Sequence, residues 1–325
     1  MKKKGFLFLI LVFVFVLSLF LGRYPKPYFL SIKDILNDPL AIKLVLNLRL
    51  PRVFAALILG ISLASAGFVM QTAFRNPLAD PGILGVSQGA GFGAALSIVV
   101  LNYSSIWLQI YSAFFGVFAL LIVLIVSKGI HVGNRIISQI LAGIAVSAFF
   151  SAGIGFLKYI ADPLSQLPNL IFWLLGSLSS VRWENLILII PILIIGNVSI
   201  FALRWRINSL SLQKEVAFSL GFQINKEYIL LLTLSVLITS CVISIAGIVS
   251  WIGLIIPNLA RMLVGSDSDN AIPVSMTLGG IFAIICDDFA RVLIAGEIPL
   301  GILTAFIGAL MFFLLVTKRN NKLLK

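Results

Sequence analysis

The chain has little charge: only 11% of its 325 residues are Asp, Glu, Lys or Arg, where a soluble domain carries about a quarter. Apolar residues make up 60%. A water-soluble core of this length cannot hide that much apolar side chain, so lipid must solvate much of the surface. Histidine occurs once, as His131, and cysteine twice, as Cys241 and Cys286. That leaves no material for a multi-histidine metal site. Both cysteines stand inside apolar runs and read as small buried thiols. No G-x-x-x-x-G-K-[ST] segment occurs, so the chain is not its own P-loop ATPase. No nucleophile–base pair is visible either, and an enzyme is not expected.

What is present is a series of apolar runs. A helical crossing takes about 20 mainly apolar residues, and ten candidates can be marked: 5–22, 51–74, 83–101, 106–127, 136–160, 184–204, 227–248, 251–265, 271–291 and 299–317. The eighth is short and holds Pro257. The basic N-terminus followed by an apolar run resembles a signal peptide, but RYPKPYF follows in place of a small-residue cleavage site. A retained first helix is expected. Trp107, Trp183, Trp205 and Trp251 lie near expected span ends and read as interface anchors.

The net charge is +12. Because the basic residues cluster at the ends of apolar runs, it points to a membrane and away from nucleic acid. With both termini inside, the outer side holds Arg23, Lys26, Lys33, Lys43, Arg49, Arg52, Lys158, Arg182 and Arg291, leaving fifteen of the 24 basic residues inside. Most of the outer basic residues fall in residues 23–52.

Four stretches stand out. Residues 48–91 begin LRLPR, continue through a small-residue helix (Gly60, Ser62, Ser65, Gly67) to Gln71, and then break at RNPLADP before Gly85 and Gly89. Small residues let membrane helices approach closely. Asn76-Pro77 and Asp80-Pro81 stop a helix, and non-helical backbone at membrane depth needs protein or a water-filled cavity around it. On physics alone, a plain turn between packed helices and a pathway-lining break both fit. Residues 210–228, LSLQKEVAFSLGFQINKEY, form the longest polar interval on the inner side. A short helix there offers Val216, Phe218 and Leu220 as apolar contacts, and Gly221 would end it in a left-handed turn. Residues 246–273 and 286–319 complete the set.

These stretches resemble the signature of the FecCD-type permeases of binding-protein-dependent ABC importers, which carry iron–siderophores, haem or cobalamin. The resemblance rests on Arg49-Leu50-Pro51-Arg52, Gln71, Arg75-Asn76-Pro77-Leu78-Ala79, Pro81, Leu84-Gly85 and Gly89-Ala90. It also rests on Glu215, Ala217 and Gly221; on Trp251-Ile252-Gly253-Leu254, Pro257, Arg261, Asp267 and Pro273; and on Asp287, Ala290-Arg291, Glu297, Pro299, Gly301 and Thr304-Ala305. Four positions depart from the pattern: Asn258, Ser268 and Asp269 replace the usual histidine, histidine and arginine, and Leu310 replaces a proline, which predicts a straighter last helix.

The resemblance implies an all-α polytopic fold of about ten transmembrane helices, like the cobalamin-importer permease. One permease domain would span 1–325, with an ATPase-docking loop at about 208–226. Glu215, Val216, Ala217, Phe218 and Gly221 would meet a cytoplasmic ABC ATPase dimer, which binds the ATP; the chain itself needs no cofactor. Arg49, Arg52 and Arg291 would meet acidic residues of an extracytoplasmic substrate-binding protein, as bidentate arginine–carboxylate pairing suits. Gly60, Ser62, Ser65, Gly67, Gln71, Asn76, Pro77, Gly85 and Gly89 would serve the pathway or helix packing. The second span would line a passage between this chain and a second copy or a homologous permease. The cell membrane of a bacterium is the expected location. A ferric siderophore is the expected cargo, with haem and cobalamin as alternatives. An ion-coupled secondary transporter and a membrane anchor are the rivals from other classes. Charged residues sit mostly at span ends, which disfavours the first.

Overall fold

The computed structural model describes residues 2–23, 28–31, 38–101, 104–131, 133–212, 214–294 and 296–323. Lys26 and Lys33 lie outside them, as does the side chain of Glu215. In chain order the helices are α1 (Lys2–Phe20), α2 (Pro39–Leu44), α3 (Leu50–Ala73), α4 (Val86–Val99), α5 (Ser105–Gly129), α6 (Arg135–Ile160), α7 (Gln166–Leu174), α8 (Trp183–Ala202), α9 (Arg204–Ile207), α10 (Lys214–Ser219), α11 (Ile224–Ala246), α12 (Ile252–Val264), α13 (Ser268–Val292) and α14 (Leu300–Leu323). The described strands, β1 (Leu21–Gly22) and β2 (Tyr28–Phe29), form one antiparallel pair.

Ten of these helices correspond to the ten expected spans. Six are long and apolar enough to cross a membrane by themselves, counting α2 and α3 as one run from Pro39 to Ala73. The other four, α1, α4, α12 and α14, are apolar over shorter stretches. The fourteen residues of α4 reach about 21 Å at helical rise, short of the roughly 30 Å of hydrocarbon. A 3-10 turn, Pro81–Leu84, precedes α4 and makes up part of the difference. Gly85 joins the two in the left-handed region at φ +75°.

Local chemistry explains the joints. Asp38 caps α2 through the Leu40 N–H at 2.9 Å, and Asn134 caps α6 through the Ile137 N–H at 3.0 Å, each supplying an acceptor to a first-turn donor. Between α2 and α3 the helix widens to a π-turn over Val45–Arg49, where the Leu50 N–H reaches the Val45 carbonyl. Pro51 follows; it has no N–H for Asn47, and its ring crowds that carbonyl.

The core is built around α3. Of its most apolar stretch 83% is buried, against 28% for α5, which sets α3 at the centre. It packs on α1, α8, α11, α12 and α13, while α4, α5 and α6 form a second group joined to it through α11. Close approach explains its small residues. A methyl at Gly60 would fall 2.0 Å from the Gly279 carbonyl oxygen of α13, and one at Gly67 would fall 1.9 Å from that of Gly253 in α12. Gly89 of α4 does the same against Phe115 of α5, at 2.5 Å. The hydroxyls of Ser62 and Ser65 meet Asn197 of α8: Asn197 Nδ2 donates to Ser62 Oγ at 2.7 Å, and Ser65 Oγ donates to Asn197 Oδ1 at 2.8 Å.

The small-residue face of α3 meets other helices of the same chain, so helix packing is the expected role that the fold makes visible for it. Trp251, expected as an interface anchor, stands at the start of α12 with φ +75° and packs on Phe312 of α14 at 6.1 Å between ring centroids. The chain before α12 is non-helical, and protein covers it. Gly247 lies against the Trp173 carbonyl, and the Ser177 N–H donates to the Ala246 carbonyl at 2.8 Å. That cover satisfies backbone groups that lipid could not. Where the family proline is replaced by Leu310, α14 runs unbroken. Cys241 and Cys286 are free and buried.

Candidate functional site

The chain's polar chemistry gathers at the two ends of α3. At its N-terminal end three arginines and three carboxylates gather. Arg52 Nε donates to both Asp287 oxygens at 2.9 and 3.2 Å, and its Nη1 donates to both Glu297 oxygens at 2.9 and 3.0 Å. Arg291 pairs with Asp288, one turn back on α13, and donates to the Ser18 carbonyl of α1 at 2.6 Å. Ser18 Oγ in turn donates to Asp288 at 2.6 Å. Arg49 donates to the Leu19 carbonyl at 3.0 Å and lies over Gly22, where a Cβ would meet its guanidinium. The Asp287 side chain is 1% exposed and that of Arg52 11%, while Glu297 is 34% exposed. Such a knot ties α1, α3, α13 and the α13–α14 loop together. Taking either partner from a buried pair leaves a bare charge in a low dielectric and costs about 3–5 kcal/mol.

The three arginines expected at a binding-protein contact are found inside this arrangement. Arg49, Arg52 and Arg291 do not stand as open forks at the surface; each is engaged within its own chain. The sequence singles out Asp287 and Glu297 as motif residues but not as partners of Arg52, because they lie 235 and 245 residues from it.

At the C-terminal end of α3 the partners are mostly uncharged. The helix ends in a Schellman turn: the Arg75 N–H bonds the Thr72 carbonyl at 3.2 Å and the Asn76 N–H bonds that of Gln71 at 3.0 Å. Such a turn places one residue in the left-handed region, usually glycine; here it is Arg75, at φ +49°. Asn76 then accepts the Leu78 N–H at 2.9 Å, an Asx-turn that fits Asn-Pro. The Pro77 carbonyl accepts Asn258 Nδ2 at 2.9 Å, which gives the unusual Asn258 a role in this chain. Gln71 donates to the Leu254 carbonyl at 2.9 Å and accepts from Arg261. Arg261 also lies 4.1 Å over the Phe68 ring.

Beside this turn stands a knob made of the 3-10 turn Asn208–Ser211, α10 and the residues up to Phe222. Val216, Phe218 and Leu220 are 45%, 78% and 61% exposed, while Ala217 is buried. A second Schellman turn closes α10: the Gly221 N–H bonds the Phe218 carbonyl and the Phe222 N–H that of Ala217, both at 2.9 Å, with Gly221 at φ +83°. Neighbouring charges are paired within the chain: Arg206 with Glu227 at 3.0 Å and Arg204 with Asp269 at 3.1 Å. Asp269, one of the departures from the family pattern, thus finds its countercharge on α9. Asp267 caps α13 and accepts from Asn208 at 2.8 Å.

A many-spanned helical bundle with an exposed apolar knob and, among the described residues, no cluster of metal-binding side chains has the build of a transport permease. The comparisons name which kind. The FecCD transport family model matches residues 10–318, and the chain belongs to that family, whose members are permeases of metal-chelate-type ABC importers and not enzymes. It is 37% identical over 322 residues to the molybdate import system permease MolB of Haemophilus influenzae, covering 95% of this chain and 94% of that protein. It is 34% identical over 329 residues to the hemin transport system permease HmuU of Yersinia pestis, covering 98% and 96%. A solved metal-chelate-type ABC transporter in an inward-facing conformation superposes with a TM-score of 0.90 at 38% identity, over 98% of this chain and 99% of that one.

Proposed function

We propose that this chain carries a ferric siderophore inward across a bacterial cell membrane. A separate ATPase dimer would sit on the 208–222 knob, and a soluble binding protein would load the opposite end. The observation that carries this reading is the knob itself: a helix closed by a rigid turn, holding Val216, Phe218 and Leu220 out to solvent beside a charge set already paired within the chain. Exposed apolar side chains on a rigid base suit a partner surface. With the knob inside, both termini are cytoplasmic, as the excess of inner basic residues favours. A second permease copy or a homologue would complete the passage, lined by helices with outward faces.

Chelated iron is supported by the hemin relative, while the metal-chelate-type neighbour names no metal and the molybdate relative marks a different cargo within the family. At the outer mouth, docking through Arg52 would mean exchanging the half-exposed Glu297 for an acid of the binding protein. The test is ATP-driven uptake by the complex reconstituted in vesicles, with ferric siderophore, hemin, cobalamin and molybdate compared. Siderophore-stimulated hydrolysis with matching uptake supports the reading. Uptake against a gradient by this chain without an ATPase would overturn it in favour of an ion-coupled carrier.

A further inference from the structure

One side chain crosses from the turn after α3 to the knob. Arg75 donates to the Leu210 carbonyl through Nε at 3.3 Å and Nη2 at 3.2 Å, and Nη2 also donates to the Leu212 carbonyl at 2.7 Å. Those carbonyls belong to the entry into α10. Arg75 holds them from a backbone position that costs it energy: a non-glycine residue in the left-handed region is strained, and such strain persists where the surroundings over-determine it. Glycine or asparagine would relax the Schellman turn, so the turn alone does not call for arginine. The left-handed backbone lets a side chain at this position reach the 210–212 segment. The same turn is held from its other side by Asn258 on the Pro77 carbonyl and, through Gln71, by α12.

We infer that Arg75 is a positioning residue that clamps the knob to the end of α3, so that a displacement of the knob moves α3 and the 76–85 segment with it. Guanidinium suits this task because its planar fork engages two carbonyls at once with fixed geometry, which a single ammonium does not reproduce. The inference rests on the reading of the knob as the ATPase seat. It adds that, beside the packing of the 208–211 turn on α3 and the Asn208–Asp267 bond to α13, Arg75 ties the seat to the central helix, so docking and transmission can be separated.

The test uses R75G and, as a second variant that also accepts the left-handed turn, R75N, each in the complex of permease, ATPase and binding protein in vesicles. Both variants keep or relax the backbone turn and remove the clamp. Expected is an ATPase that co-purifies as before and hydrolyses ATP at a similar rate, while cargo moved per ATP falls about tenfold, the scale of one lost charge-assisted hydrogen bond. Spin labels at Ser219 and Leu78 should show a broader distance distribution in R75G. Unchanged cargo per ATP with an unchanged distribution would overturn the clamp. So would loss of the ATPase from the R75G complex, which would make Arg75 part of the seat itself. A parallel F218E variant separates the two readings. If it retains the ATPase, the knob is not the seat; if it loses the ATPase while R75G transports normally, the seat stands and the clamp fails.

Discussion

The two ends of α3 use the same residue for opposite purposes. At the N-terminal end, Arg52 meets two carboxylates and Arg291 meets another, and the charges cancel in a nearly buried knot. At the C-terminal end, Arg75 and Arg261 meet carbonyls, an amide and a ring face, which leaves their charge in place. The first end is held by charge, and its stability is exposed to the loss of any one partner. The second is held by geometry, and its donors can be traded for others at smaller cost. The N-terminal knot therefore reads as a fixed point of the bundle, and the C-terminal turn as the place where the proposed clamp would pass movement on.

Five substitutions test that contrast, all read as the shift in thermal unfolding of the purified protein. The largest loss is expected for D287A, which strips the buried Arg52 of its inner partner: about 3–5 kcal/mol. The double variant R52A/D287A should lose less than the two single losses added together, and strict additivity would break the ion-pair account. Next is Q71L at the other end, which leaves Arg261 on Phe68 and Thr72 without its amide acceptor, for about 1–3 kcal/mol. If Q71L proved more harmful than D287A, the contrast between the ends would be reversed. E297Q should cost about 1 kcal/mol or less, because the partly exposed Glu297 pair is solvated and Asp287 still holds Arg52. The smallest effect is expected for R75G, within about 1 kcal/mol of neutral, because relief of the left-handed turn offsets the lost bonds to the Leu210 and Leu212 carbonyls. A large destabilisation by R75G would show that the inner grip carries the fold as well as the movement.

Much of the helical order could be read from hydropathy. The expected span at 136–160 is α6 at Arg135–Ile160, and the one at 251–265 is α12 at Ile252–Val264. The short helices α2, α7 and α9 escaped because six, nine and four residues are too few to set a hydropathy window. The left-handed Gly221 could be foreseen because glycine marks such turns; that of Arg75 could not, since arginine gives no such signal. The charged knot was half legible. Arginines at span ends are conspicuous in an apolar chain, but their partners are fixed only once α3 and α13 lie side by side, and that depends on the Gly60–Gly279 contact. Asn197 was passed over for a similar reason: one amide inside an apolar run shows its use only when Ser62 and Ser65 arrive opposite it.

The π-turn at Val45–Arg49 has a consequence for how this segment tolerates length changes. It accommodates one surplus residue in what is otherwise a continuous rod from Pro39 to Ala73. Excising a single residue there would let the turn close to regular pitch with α2 near its present orientation, because the widened turn already absorbs the roughly 100° that one extra residue adds; the same deletion within α3 would swing α2 around the rod axis and pull the Leu46 carbonyl away from the Trp183 indole that now donates to it at 2.9 Å. A deletion of one residue should be forgiven in that stretch far more readily than the same deletion further along the rod.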